Sequence, residues 1–415
     1  MSGSQSRVAI VGGGPVGAVA ALALARQGAD VVVLEAEERA DESPRAATTH
    51  PATLEMLAEL GLIDEVIRRG LVARTFQFWD RPSERLIAEF DHAALSADTP
   101  YPFVVQCEQH KLVKLAMERL RAFPNVQVHV ASRVTAVELR SDAVALTIEA
   151  GNRTSRLAAS FLVGADGGRS TVRKALGIEF EGYTFPERFL VLTTPFDFAA
   201  ERGCGFRSYF SDPDEWANLF KVSGDDGTGL WRAVFPTRPG ETDEELLNDT
   251  SVQQRLQRFF PKTGAYPVVH RNLYKVHQRV AATFSRGRAF LAGDAAHVNN
   301  PIGGLGLNCG IHDVFELAGL LGPVLRDEKP AETLALYDAR RRPINIEYVQ
   351  QQTIANKKRL EERDADRRAA NFDALRATAA DPVAHRAFLM RSSLLDSVRT
   401  AAGRLSDNHA KGADP

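Results

Sequence analysis

The chain has 415 residues, too many for one simple core, so two or three domains are expected. Its composition, 44% hydrophobic and 25% charged, is that of a soluble globular protein, and a formal charge of -2 gives no electrostatic footing for nucleic acid or an anionic membrane. No apolar run approaches the roughly 20 residues that span a bilayer. Met1 to Ser6 is polar with no apolar stretch, so a cytoplasmic location is expected. Cys107, Cys204 and Cys309 are too few and too scattered for a disulfide framework or a zinc spacing, and the histidines show no ligand spacing. No metal is expected.

Arg7 to Val11 is a short apolar, β-branched run that suits a buried parallel strand. It enters a turn with Gly12, Gly14 and Gly17 in G-x-G-x-x-G spacing, and Pro15 to Gln27 then reads as an Ala/Leu-rich helix closed by Gly28. Gly12 permits the tight turn, Gly14 lets the backbone approach a pyrophosphate, and Gly17 lets the helix pack on the strand. The helix start at Pro15 and Val16 then faces the phosphates. A second strand, Asp30 to Leu34, ends on Glu35 and Ala36. An acid about 20 residues past the glycines suits a ribose hydroxyl and disfavours a 2′-phosphate, so NADP is not expected here. Alone, this element leaves FAD, NAD and a ligand-free glycine turn all open.

Further segments follow in order. Arg45-Ala-Ala-Thr-Thr-His-Pro51 leads into a helix ending in Leu60-Gly-Leu62, and Val104 to Gln106 meets a helix near Gln109. Val126 to Val134 alternates like a strand and leads into Val144 to Ile148. The apolar run from Phe161 to Val163 precedes Gly164-Ala-Asp-Gly-Gly-Arg-Ser-Thr-Val-Arg173. Ala289 to Ala292 reads as a buried strand with Asp294 just beyond its C-terminal end, where ligands meet open α/β sheets. Pro301-Ile-Gly-Gly-Leu-Gly-Leu-Asn308 then opens a helix that runs to about Leu321.

The set, in this order, resembles the FAD-dependent aromatic hydroxylases, the single-component flavoprotein monooxygenases of the para-hydroxybenzoate hydroxylase type. The resemblance covers the chain from its first strand to about Arg342. It implies that the glycine turn and Glu35 hold the adenosine diphosphate of FAD. Arg45, beside Ala46, would bind the phosphates or ribityl oxygens, and Gln106, or alternatively Gln109, the flavin chain. Backbone near Val134 would meet the adenine, and Asp166 would serve both FAD and the nicotinamide. Gly293 and Asp294 would hold the ribityl hydroxyl. Backbone N–H groups from Gly304 to Asn308, at Gly306 and Leu307 above all, would face the isoalloxazine. Pro301 would line the cavity above the ring.

Phe76 to Phe90 reads as a hairpin, and Tyr183 to about Val276 as several strands, among them Gly203 to Phe210, Asn218 to Val222 and Leu230 to Phe235. The implied fold is α/β. An FAD-binding Rossmann-like domain (1–75, 98–180, 277–322) carries an inserted, mostly antiparallel β-sheet substrate domain (76–97, 181–276). A C-terminal helical region (323–415) follows, with a solvated charged face at Lys357 to Arg368 and a disordered last ten residues or so. Alternation puts Asn218 and Phe220 on one face, and Arg232 with Leu230 and Val234 on one face of the next strand. Arg232 is open between a substrate oxygen and a snorkelling surface role, with Arg207 and Tyr209 as further substrate candidates. His50 is open between touching substrate or flavin and bonding its own turn.

The expected reaction is hydroxylation of a small aromatic, phenolic or a hydroxy- or amino-aromatic carboxylate. NADH or NADPH is the transient reductant and O2 the oxidant, and the family's route passes through a flavin C4a-hydroperoxide. His50, Tyr209 and Pro301 are the candidates beside the reacting centre, and a homodimer is compatible with the sequence. Two alternatives stand: a same-fold flavoenzyme on a non-aromatic substrate (an epoxidase or a reductase), and a flavin-binding protein without turnover.

Overall fold

Apolar runs without alternation need cover on both faces, and the first sheet provides it. In a computed structural model that describes residues 7–400 except 40, 44 and 226, this sheet has six strands. The expectations for Met1 to Ser6 and for the last ten residues lie outside the described residues. The strand order is Ser285–Arg286, Ala289–Leu291, Phe161–Gly164, Arg7–Val11, Asp30–Leu34 and Val126–His129. Every neighbouring pair is parallel except the short first one. Val8 to Ile10, Val31 to Val33 and Leu162 to Val163 are buried throughout, as continuous β-branched runs require.

Two long helices, Pro15–Arg26 and Gly306–Leu325, lie against each other. A Cβ on Gly310 would fall 2.7 Å from Val16 Cγ2 and 2.9 Å from Gly293 Cα, and one on Gly322 only 1.6 Å from Gln27 Oε1. Start meets start and end meets end. The helices therefore run parallel and bring both N-termini to the C-terminal edge of the sheet.

The second sheet has eight strands: His297–Val298, His270–Ala281, Phe180–Thr194, Leu230–Pro236, Ala217–Val222, Arg207–Ser211, Thr75–Asp80 and Arg85–Asp91. All neighbours are antiparallel except Arg207–Ser211 beside Thr75–Asp80. Its two faces follow strict alternation. Leu190, Leu192, Phe210, Trp231 and Phe235 point outward into a core closed by Phe198, Val252, Leu256 and Phe259. Val191, Tyr209 and Val234 point inward, into a cluster with Ile302 and Leu305 from the segment that opens the second long helix.

Several expectations change. The strand expected over Val126 to Val134 breaks at Ala131, which adopts φ 48, and Arg133–Leu139 starts a separate three-stranded antiparallel unit with Val144–Ala150 and Arg153–Ala159. The strand expected from Gly203 begins at Arg207, because Gly203 is the left-handed cap (φ 67) of a short helix, Phe198–Arg202. The helix Asp249–Phe259 was missed in a segment read as strands, although Val252, Leu256 and Phe259 carry its i, i+4, i+7 spacing. Lys357 to Arg368 is solvated only in part, with Lys358 and Arg363 to Arg367 exposed. Lys357 is buried, with Nζ 2.7 Å from Glu187 and 2.5 Å from Glu361, and Arg368 pairs with Asp80. The final helices, Ala365–Ala380 and Pro382–Ser392, pack on strand Arg85–Asp91 and the turn after it, where the Phe388 ring stacks on Phe90 at 4.5 Å.

Gly310→Ala is expected to lower the unfolding free energy by about 1–3 kcal/mol through overpacking, measured by chemical denaturation. Val16→Ala in the same chain is expected to restore part of that loss, because it removes the nearest of the two clashing groups.

Candidate active site

The turn after the first strand is a steric solution. Gly12 has φ 103, and a Cβ there would lie 2.4 Å from the Ala165 carbonyl oxygen; one on Gly17 would lie 1.9 Å from the Gly12 carbonyl oxygen. Gly14 faces open space. The helices starting at Pro15 and Gly306 both lack a side-chain cap. Their first-turn N–H groups have no acceptor within the helix, so two positive dipole ends converge on one cleft. A diphosphate suits such a place.

Beside the turn is a cavity of about 530 Å³ between Gly13, Gly14, Glu35 and the helix Gln109–Leu120, a size suited to a nucleotide. Glu35 Oε2 accepts from Gly13 N at 2.6 Å and Oε1 from Glu37 N at 2.8 Å. A carboxylate has about four acceptor positions, so Glu35 closes the turn and still offers lone pairs to a ribose. The apolar wall is formed by Val126, Val128 and Val130, with Val113 and Met117 opposite. Val134 and Ala36 do not line it; the break at Ala131 turns Val134 into the core instead. The alternation of Val126, Val128 and Val130 was the available signal. Gln109 and Arg45 line the cavity, and Gln106 does not.

Asp294 stands just past strand Ala289–Leu291, open to solvent yet crowded by protein. That crowding raises its carboxyl pKa, with His297 and Arg45 drawing it partly back. Asp166 has a nearer task than a ligand: its carboxylate accepts from Ser170 Oγ (2.5 Å), Thr171 N (2.7 Å) and Val172 N (3.1 Å), opening the helix Thr171–Ala175. Arg173 ties that loop to the next one, donating to the Gly168 and Ala295 carbonyls at 2.8 Å.

At the inner end, Thr48 Oγ1 donates to Gln106 Oε1 (2.9 Å), and Asn308 Nδ2 donates to the Thr48 (2.8 Å) and Gly304 (2.6 Å) carbonyls. His50 N donates to Asn308 Oδ1 at 2.8 Å, and His50 Nε2 donates to the Gly303 carbonyl at 2.8 Å. Asn308 thus spends its side chain on the loop, leaving its backbone for a ligand. Gln106 Nε2 and His50 Nδ1 are buried without a partner. Buried polar atoms normally find one, so the lining fits a polar ligand that completes the network. Pro301 is exposed, and its carbonyl accepts from Gly304 N at 3.0 Å.

Sequence reasoning missed the acid beneath this site. Asp313 is fully buried; Oδ2 accepts from Gly293 N (3.1 Å) and His297 Nε2 (2.7 Å), and Oδ1 accepts from Arg341 Nε (2.8 Å). Burial opposes its ionisation, but His297 and Arg341 outweigh it and hold the carboxyl below its usual range. His297, Cys309 and Asp313 come together as metal-ligand types do, but the Arg341 guanidinium sits among them, with Nη2 3.2 Å from Cys309 Sγ. Nothing in the spacing ties Arg341 to residues about thirty positions earlier.

Of the substrate candidates, Arg207, Asn218, Phe220 and Arg232 share the inner face of the large sheet with Tyr209, and Pro301 lies off the sheet, in the segment that opens the second long helix. Tyr209 pairs with Asn218, which pairs with Val234; Arg207 pairs with Phe220, which pairs with Arg232. Arg207 Nη2 donates to Tyr209 Oη at 3.1 Å, and its guanidinium lies 5.2 Å from the Phe76 ring. Arg232 Nη1 donates to the Arg45 carbonyl at 2.6 Å, so it braces the loop below. Arg207 has no carboxylate partner among the described residues. Arg207 Nε, Asn218 Oδ1, Arg232 Nε and Thr193 Oγ1 are buried and unpartnered.

The FAD binding domain family matches residues 5–352. The chain belongs to that family. It is similar to para-nitrophenol 4-monooxygenase of Pseudomonas sp. (strain WBC-3), 36% identical over 96% of this chain and 98% of that one. It also resembles 6-hydroxy-3-succinoylpyridine 3-monooxygenase HspB of Pseudomonas putida (strain DSM 28022 / S16), 35% identical over 86% and 89%. Its fold superposes on the crystal structure of p-nitrophenol 4-monooxygenase PnpA from Pseudomonas putida DLL-E4 with TM-score 0.87, 34% identity and coverage of 93% and 98%. With such relatives over nearly its whole length, the chain is an FAD-dependent flavoprotein monooxygenase of the aromatic hydroxylase type. Among the described residues, no helix is long and apolar enough to cross a membrane.

Asp294→Ala is expected to weaken FAD binding about 10- to 100-fold, the worth of one hydrogen bond to a charged group. Flavin fluorescence on titration of the apoprotein measures it, and an unchanged Kd removes Asp294 from the site.

Proposed function

We propose that this chain hydroxylates a small phenolic aromatic held on the inner face of the eight-stranded sheet, with Arg207 against a substrate oxygen. The observation that carries this reading is a buried guanidinium with no carboxylate partner among the described residues, set against the Phe76 ring and the Tyr209 hydroxyl, with the Phe78 and Phe220 rings packed on Tyr209 in turn. A buried charge left unpaired costs several kcal/mol, of which the Phe76 face returns roughly 1–2. An oxygen-bearing aromatic ligand supplies both the missing acceptor and a ring that fits those walls. The names of the two relatives given above each describe a hydroxylated aromatic ring, which supports the same class.

Bound FAD, reduced by NADH or NADPH, supplies the electrons and activates O2. The chain's own share is positioning and electrostatics. The paired helix starts and Glu35 would hold the adenosine diphosphate, Arg45, Gln106 and Asp294 the chain beyond it, and the backbone from Gly304 to Asn308 the ring. Asp166 acts at one remove, by shaping its loop. The aromatic walls and the helix carrying Phe388 exclude water from the substrate face. Division of labour follows the two sheets, nucleotide on the first and substrate on the second. The three thiols are buried and free, each pushed up to about 12 by burial, which suits a reducing cytoplasm.

A panel of phenols and hydroxypyridines, scored for stimulated NADH or NADPH oxidation with labelled O2 and product mass, tests the reading. Label is expected in the ring product; a reductase would incorporate none. Arg207→Met is expected to raise KM about 10- to 100-fold with FAD content unchanged. An unaltered KM would move the substrate elsewhere.

A further inference from the structure

The inner face leaves two complementary vacancies. His50 is 2% exposed and held at two points, backbone N–H to Asn308 and ring Nε2 to the Gly303 carbonyl. A carbonyl only accepts, so Nε2 carries the proton and Nδ1 presents a lone pair. That lone pair has no donor. Arg207 Nε is a buried donor with no acceptor. A carboxylate or nitro group would satisfy Arg207 and leave His50 bare. A hydroxyl satisfies both, as donor to one and acceptor from the other.

We infer that the substrate's phenolic hydroxyl lies between His50 Nδ1 and Arg207, and that His50 takes its proton. The inference rests on the aromatic hydroxylase reading. The O–H bond breaks, the proton forms an N–H bond on Nδ1, and the electron pair stays on oxygen facing Arg207. No other co-reactant is needed, and the ionised ring is the more electron-rich one that hydroxylation requires.

The charged and titratable groups whose fields act on His50 are Arg207 from strand Arg207–Ser211, His92 from the turn after strand Arg85–Asp91, and His312 from helix Gly306–Leu325. Burial first, and Arg207 second, hold His50 well below the usual histidine range. Burial lowers His92 to about 4 and His312 to about 3, so Arg207 is the one charge among these four groups near neutral pH. His92 already donates Nδ1–H to the Arg74 carbonyl at 2.8 Å; His312 Nε2 meets Thr53 Oγ1 at 3.0 Å and its Nδ1 is open like that of His50, but Arg341 and Asp313, not Arg207, are the charges that act on it. A phenolate beside Arg207 offsets its field at His50 and raises the affinity of Nδ1 for the proton. The free protein keeps His50 neutral, and the bound substrate turns it into an acceptor.

The test is the Kd of a chromophoric phenol that ionises near neutrality, titrated into oxidised holoenzyme without reductant from pH 6 to 9. The complex retains the proton, so above the free phenol's pKa binding must take one up, and Kd is expected to rise about tenfold per pH unit. Below that pKa it is expected to be flat. If Arg207 alone captured the phenolate, the profile would be reversed, flat above and weakening below, and that result overturns the inference. His50→Gln, which has no titrating nitrogen, is expected to lose the alkaline slope and to lower kcat about 10²- to 10⁴-fold with FAD content intact. A slope that survives in His50→Gln and vanishes in His92→Gln overturns the assignment to His50. Should His50→Gln fail to fold, the absorbance of the chromophoric phenol in the wild-type complex decides: a phenolate band below the free phenol's pKa places the proton on the protein, and a complex showing only the neutral-phenol band overturns the inference. Absence of any phenol-stimulated NADH oxidation would instead sink the aromatic hydroxylase reading.

Discussion

Two helix starts must sit side by side at one sheet edge, and this constraint organises the rest of the molecule. Gly310 against Val16 and Gly293, and Gly322 against Gln27, allow the helices Pro15–Arg26 and Gly306–Leu325 to run parallel in close contact. Their N–H groups and dipoles then point into one cleft. Segments nearly three hundred residues apart in sequence become one anion-binding edge, and the cavity lined by Glu35 opens beside it. Asp313 fixes the arrangement from below, joining the Gly293 turn to His297 and, through Arg341, to the C-terminal helices.

The two halves of the site treat buried charge in opposite ways. Beneath the nucleotide edge, Asp313 and Arg341 are paired with each other and hydrogen-bonded to His297, Gly293 and Cys309. On the substrate face, Arg207 is buried beside neutral imidazoles and aromatic rings, with donors and acceptors left open around it. Low dielectric makes each of those vacancies costly. The first arrangement gives rigidity, and the second gives selectivity for a ligand that fills the gaps. Arg232 stands between the two, with Nη1 spent on the Arg45 loop and Nε left open.

Local steric rules explain which parts of the fold were legible. The glycine turn, the buried strands at Arg7–Val11 and Asp30–Leu34, and the hairpin Thr75–Asp80 with Arg85–Asp91 follow from backbone geometry and apolar periodicity. Where φ changes sign at Ala131 or Gly203, the periodic pattern ran on and the expected strands came out too long. The helix Asp249–Phe259 had its own period in plain view, masked by strands on either side. At the site, the alternation that grouped Asn218 with Phe220 placed them on the inner face, but it could not rank Arg207 above Arg232. That ranking depends on which guanidinium finds a carbonyl across the domain.

The sequence by itself determined the family resemblance, the parallel sheet and the glycine turn at its edge, because each rests on apolar periodicity or on glycines whose jobs are local. Only the tertiary structure decided that Asp313 anchors the Gly293 turn, that Val128 and Val130 rather than Val134 wall the cavity, and that His50 Nδ1 and Arg207 Nε are both left unsatisfied. Those outcomes depend on pairings between residues tens to hundreds of positions apart, and whether a buried polar atom has a partner is a property of the packed chain.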